Sequence, residues 1–128
     1  MQKSLKAKDI MTKDVITIGP DSILDVAIKK LIENKISGMP VVDEDGKLLG
    51  IISEKDILNF AFCGYLRNTK VRKAMSTKVV SFNPNEGIEK LAVSISKYNF
   101  RRVPIVEDEK VVGIVSRRDI IRNVLKVV

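Results

Sequence analysis

The chain has 128 residues, 45% hydrophobic and 30% charged, so it is one ordinary domain or two very small ones, with a globular rather than a disordered composition. It has no histidine, which excludes His-ligated zinc and the Ser-His-Asp and Cys-His nucleophile systems, and its single cysteine, Cys63, excludes an intramolecular disulfide and points to a reducing compartment. The net charge of +7 is uneven: residues 1–64 carry nine lysines, no arginine and ten acids, whereas residues 65–128 carry fourteen basic residues, including all seven arginines, against six acids.

The opening MQKSLKAKDIM has no apolar h-region, and no stretch approaches the roughly 20 apolar residues of a membrane span. The expectation is a cytoplasmic protein without signal peptide or membrane contact. Residues 15–18 form a short β-branched run that reads as a strand. Pro20-Asp21 then predicts a helix start with the aspartate as N-cap, and Leu24, Ala27, Ile28 and Leu31 follow at helical spacing. Residues 39–43 and 47–52 read as two strands around a turn at Asp45-Gly46, and a second helix is expected over 54–65.

The same order then returns. Residues 79–82 repeat the short strand, and Pro84-Asn85 repeats the helix start, with Asn85 as N-cap. Ile88, Leu91, Ala92 and Ile95 repeat the stripe, residues 103–107 and 110–115 repeat the strand pair across Asp108-Glu109, and a last helix is expected over 117–125. Residue by residue, Asp9-Ile10-Met11-Thr12 corresponds to Lys73-Ala74-Met75-Ser76, and Pro40-Val41-Val42-Asp43 to Pro104-Ile105-Val106-Glu107. Gly50-Ile51-Ile52-Ser53 corresponds to Gly113-Ile114-Val115-Ser116, one residue having been lost from the second copy. The chain is thus two copies, residues 8–66 and 71–126, each β-α-β-β-α. The fold class is α/β (α+β).

The first copy resembles a cystathionine-β-synthase (CBS) domain. The resemblance is carried by the opening Ile10-Met11-Thr12, by the strand Ile36-Ser37-Gly38-Met39-Pro40-Val41-Val42-Asp43, and by the closing Gly50-x-x-Ser53-x-x-Asp56. The second copy resembles another such domain, departing where Arg101-Arg102 replaces Ser37-Gly38 and where the hairpin has lost its glycine. The resemblance implies two repeats related by a pseudo-twofold axis, with their sheets packed together and two clefts between them. It also implies a homodimer, no catalysis, and a regulatory role in energy sensing through an adenine nucleotide. The implied ligand is AMP, ADP or ATP, with S-adenosylmethionine as a further candidate, and the regulated protein is unknown.

Ser53-x-x-Asp56 and Ser116-x-x-Asp119 each stand where a strand turns into a helix. The spacing is that of a capping box. The same carboxylates could accept hydrogen bonds from the two hydroxyls of a ribose, because an ionised carboxylate is purely an acceptor, and the resemblance favours that role. The resemblance further places Thr17 and Ser81, with Val15 and Val79, along the adenine, and Pro40 and Pro104 at the pocket floor. A short β-branched strand and an edge-strand proline are equally ordinary structure.

The two clefts are expected to be unequal. Arg101, Arg102 and Arg118 suit a phosphate, whereas the matching places of the first copy hold Ser37, Gly38 and Lys55. An alternative function is a nucleic-acid-binding accessory protein using the basic second half. The mixed run of residues 97–102 weakly suggests such a surface, but Phe100 aligns with the apolar Ile36, so nucleic acid is not the expected partner. Met11, Met75 and Cys63 read as core. Ile57, Phe60 and Ile120 are expected on outer helix faces, where they would join two copies of the chain. No glycine pattern of the Rossmann or P-loop kind is present.

Overall fold

The repeated apolar spacing and the repeated glycine-containing strands produce the same local structure twice. In chain order the helices and strands are α1 (Ala7–Ile10), α2 (Leu24–Asn34), β1 (Gly38–Val42), β2 (Leu48–Ser53), α3 (Glu54–Leu58), α4 (Val71–Ala74), α5 (Ile88–Tyr98), β3 (Arg102–Glu107), β4 (Lys110–Ser116) and α6 (Arg117–Asn123). Short 3-10 turns span Leu66–Asn68 and Val124–Lys126. This computed structural model describes residues 4–62 and 66–128. It comprises two compact units, Ile16–Val79 and Met1–Val15 together with Val80–Val128.

In the unit of residues 16–79, β1 and β2 form an antiparallel hairpin in which Gly38 faces Ser53, Met39 faces Ile52 and Pro40 faces Ile51. Its turn is built by Asp43, whose Oδ1 accepts from Asp45 N and Lys47 N at 2.9 Å, and by Gly46 at φ +86°. The α2 stripe lies over it, with Leu24, Ala27 and Leu31 buried among Ile18, Met39, Val41, Ile52, Ile57 and Val71. In the other unit β3 and β4 pair Arg102 with Ser116, Val103 with Val115 and Pro104 with Ile114. There Leu91 and Ile95 of α5 pack with Ala7, Val103, Ile105, Val115 and Ile120.

The opening segments change places between the copies. Ala7, from the chain's beginning, is fully buried with the second copy, and Val71 is fully buried with the first. Backbone bonds fix both exchanges in parallel. Thr12 and Ile114 bond each other at 2.9 and 3.0 Å, as Ile51 and Ser76 do at 2.9 Å in both directions. Leu24 N donates to Thr69 O at 2.9 Å, and Ile88 N to Leu5 O at 3.0 Å.

This exchange explains why the expected N-caps are displaced. The helices begin at Leu24 and Ile88 with Ile23 and Gly87 as N-caps, not Asp21 and Asn85. The exchanged segments already satisfy the first free N–H groups, so no side-chain oxygen is needed there. Asp21 instead accepts from Arg72 Nε and Nη2 at 2.9 and 2.6 Å, and Asn85 N donates to Asn83 Oδ1 at 2.7 Å.

Three further expectations change. The short runs at 15–18 and 79–82 do not form full strands. Each contributes one parallel bridge, Ile18 with Val41 and Phe82 with Ile105. Pro20 and Pro84 follow two residues later and lack the N–H that would extend the ladder. The helix expected over 54–65 ends at Leu58 and gives way to turns through residue 62, while Cys63 and Tyr65 lie outside the described residues. Ile57 and Ile120 are 7% exposed and Phe60 is half-buried against the core, so these residues face inward, not outward. Met11 and Met75 pack against their cores as expected.

Candidate functional site

Each copy gathers its candidate residues where the hairpin meets the second helix. In the first copy Ser53 is the N-cap of α3: Asp56 N donates to Ser53 Oγ at 3.3 Å, while Ser53 N and Ser53 Oγ donate to Asp56 Oδ2 at 2.9 and 2.8 Å. The second copy repeats the box. Asp119 N donates to Ser116 Oγ at 3.1 Å, and Ser116 N to Asp119 Oδ2 at 2.8 Å. The capping box inferred from the spacing therefore forms in both copies.

Both carboxylates spend Oδ2 on the cap. Among the described residues Asp56 Oδ1 has no partner, and Asp119 Oδ1 has only Arg122 Nη1 at 3.6 Å. Each acid is half-buried and offers one oxygen, with two lone-pair directions, to an incoming donor.

The neighbouring candidates follow from the same backbone. Glu54 N donates to Ser37 O at 2.9 Å, so Ser37 stands beside the box, with Lys55 exposed between Ser53 and Asp56. Arg117 N likewise donates to Arg101 O at 3.0 Å, bringing Arg101, Arg118 and the Ser116–Asp119 box to one place, while Arg102 faces Ser116 across the hairpin. Pro40 and Pro104 are buried one strand over. Their carbonyls accept from Ile18 N and Phe82 N, both at 3.1 Å, which puts Thr17 and Ser81 next to them.

Thr17 is half-buried, and its carbonyl is held by Lys30 Nζ at 2.7 Å. Sequence reasoning missed that contact. Ser81 is exposed and has Ser94 at the place matching Lys30. The unit boundaries fall between Val15 and Ile16 and between Val79 and Val80, so Val15 is grouped with the second copy and Val79 with the first. A groove of about 520 Å³ in residues 16–79 is lined by Thr17, Asp21, Ser22, Lys30, Asp43 and Glu44, among others. Of the candidate residues it takes in Thr17 alone, and it does not include the Ser53–Asp56 box.

Among the described residues there is no group of three or more side chains suited to hold a metal ion, and no helix is long and apolar enough to cross a membrane. The family pattern described as "CBS domain" matches residues 7–62 and again 71–126. The chain belongs to the CBS-domain family. It is 38% identical over 117 residues to an L-aspartate semialdehyde sulfurtransferase of Methanocaldococcus jannaschii. That match takes 90% of this chain but only 22% of the longer enzyme.

Among solved structures, the CBS domain pair of protein MJ0100, in complex with 5′-methylthioadenosine and S-adenosyl-L-methionine, is similar to 94% of this chain at a TM-score of 0.83 and 36% identity, with 95% of that chain covered. CBSX2 from Arabidopsis thaliana, in complex with AMP, matches at a TM-score of 0.85 and 26% identity, covering 94% of this chain and 96% of its own. The fold is thus that of a CBS domain pair, and the expected mixed α/β class holds.

Proposed function

We propose that the chain is a non-catalytic ligand-sensing module that binds adenosine-type nucleotides, AMP, ADP or ATP in the first place, with Asp56 and Asp119 as the ribose acceptors. The observation that carries this reading is the pair of matching boxes, in which each aspartate is fixed by its serine through Oδ2 and left with Oδ1 open. A carboxylate held rigid before binding loses little freedom when the hydroxyls arrive, which favours affinity. The adenosyl ligands of the MJ0100 and CBSX2 structures support the same chemistry. S-adenosylmethionine remains within that ligand class. Ligand binding signals to a partner only in so far as it differs between two states of the protein.

Calorimetry with adenosine and AMP on Asp56→Ala and Asp119→Ala tests this. Loss of a cap acid should cost about 1 kcal/mol of stability, leaving a folded chain. Binding should fall at least tenfold in one or both variants. Unchanged affinity in both removes the ribose role.

The reading includes a homodimer, now resting on other residues. Leu58 and Phe62 of the first copy are 65% and 95% exposed, and their counterparts Ile121 and Leu125 are 70% and 84% exposed. Each copy therefore offers an apolar pair at the same place beyond its second helix. Light scattering should give twice the 14.3 kDa chain mass, and Leu58→Asp/Ile121→Asp should give the monomer. A wild-type monomer at micromolar concentration would reject this part.

A further inference from the structure

The same backbone node carries opposite charge in the two copies. In the second copy Arg101 O accepts from Arg117 N at 3.0 Å, and Arg118 follows directly, so three guanidinium-bearing residues leave one point of the backbone. All three are exposed, and among the described residues none has a carboxylate within ion-pair distance. Arg72 and Arg122, by contrast, are each set against an aspartate. The adjoining Asp119 is already engaged by the cap and by Arg122. In the first copy the node is Ser37, Glu54 and Lys55, which carries no net charge and places a carboxylate where the second copy has Arg117.

Three like charges so close repel one another, and an oxyanion relieves that repulsion. Guanidinium forks match a phosphoryl group, whose oxygens accept parallel N–H bonds. Glu54 disfavours such a group at the other node. We propose that the two nodes take chemically different ligands: the Arg101–Arg117–Arg118 node takes the phosphoryl group of a nucleotide, and the Ser37–Glu54–Lys55 node serves an adenosyl ligand without phosphate. The chain then reads one charged and one uncharged nucleoside together. This inference rests on the nucleoside-binding reading above.

Calorimetry on the full chain tests it with AMP and adenosine as probes. AMP should fill one site per chain with at least about tenfold preference over adenosine, since each charge-assisted bond is worth about a factor of ten or more. Adenosine added to the AMP-saturated protein should still release heat at a second site. Arg101→Ala/Arg118→Ala should bring the AMP-to-adenosine affinity ratio down to within about threefold of unity. Glu54→Arg should raise that ratio at the second site.

A double variant that keeps the wild-type ratio overturns the proposal, and so does AMP filling two equal sites. Adenosine binding without any preference for AMP overturns it while leaving the nucleoside reading standing. Binding of neither probe overturns both.

Discussion

Gly50 and Gly113 occupy the same place in the two hairpins, yet a side chain at each meets a different obstacle. A Cβ on Gly50 would come within 2.6 Å of Ser76 O, a backbone atom tied into the exchanged pair. A Cβ on Gly113 meets chiefly the Sδ and Cγ of Met11, whose flexible side chain can move. Gly50→Ala should therefore cost about 1–3 kcal/mol and Gly113→Ala less, read as denaturant midpoints at unchanged slope. Equal losses would mean that Met11 is as rigid as the backbone.

Asp21 gives a second test at this scale. Hydrogen bonding to Arg72 holds its carboxyl below the usual value of 3.8. Its contribution is thus fully present above that value and is lost as the pH falls through the lower, folded one. The difference in Tm between wild type and Asp21→Asn should be constant near neutrality and shrink below about pH 3.8. A difference that persists unchanged in acid would detach the effect from this ion pair.

At the scale of elements, the two long helices end alike but with unlike residues. Lys35 and Asn99 terminate α2 and α5 in the left-handed region at φ 54° and 56°. Asparagine tolerates that conformation and lysine does so at a cost. Lys35→Asn should stabilise the chain by a few tenths of a kcal/mol and Lys35→Gly by up to about 1 kcal/mol, measured by thermal or chemical unfolding. Destabilisation by both would mean that the lysine side chain compensates elsewhere.

These elements also mark what could be read in advance. The stripe Leu24, Ala27, Leu31 and its repeat determine two helices because burial enforces the period, and Ser53-x-x-Asp56 determines a cap because its bonds span three residues. The starts of α2 and α5 were misplaced because their N–H groups are satisfied by Thr69 and Leu5, far along the chain. The Lys30–Thr17 contact and the Asp21–Arg72 pair are likewise invisible to local spacing. Of the candidate site, the acids and their serines were legible, since both roles use the same short motif.

At the scale of the whole chain, the repeat in the sequence and the compact units in space have different boundaries. The repeat suggests that residues 8–66 belong together, whereas the packing joins residues 16–79 and joins the chain's first fifteen residues to residues 80–128. Leu5 and Ala7 are buried with the second copy, and Ala7 N, Lys8 N and Thr12 N find acceptors at Glu86, Pro84 and Ile114. Burying one leucine contributes about 1.5–3 kcal/mol and each such hydrogen bond about 1 kcal/mol, so removing the segment is a large perturbation for a small domain. Its effect should nevertheless be selective. Deleting residues 1–12 should raise hydrogen exchange in β3 and β4, where Ile114 loses both bonds to Thr12, well before it does so in β1 and β2, whose Ile51 keeps its bonds to Ser76. If protection were lost first from β1 and β2, the opening segment would belong to its own copy after all and the exchange would be refuted.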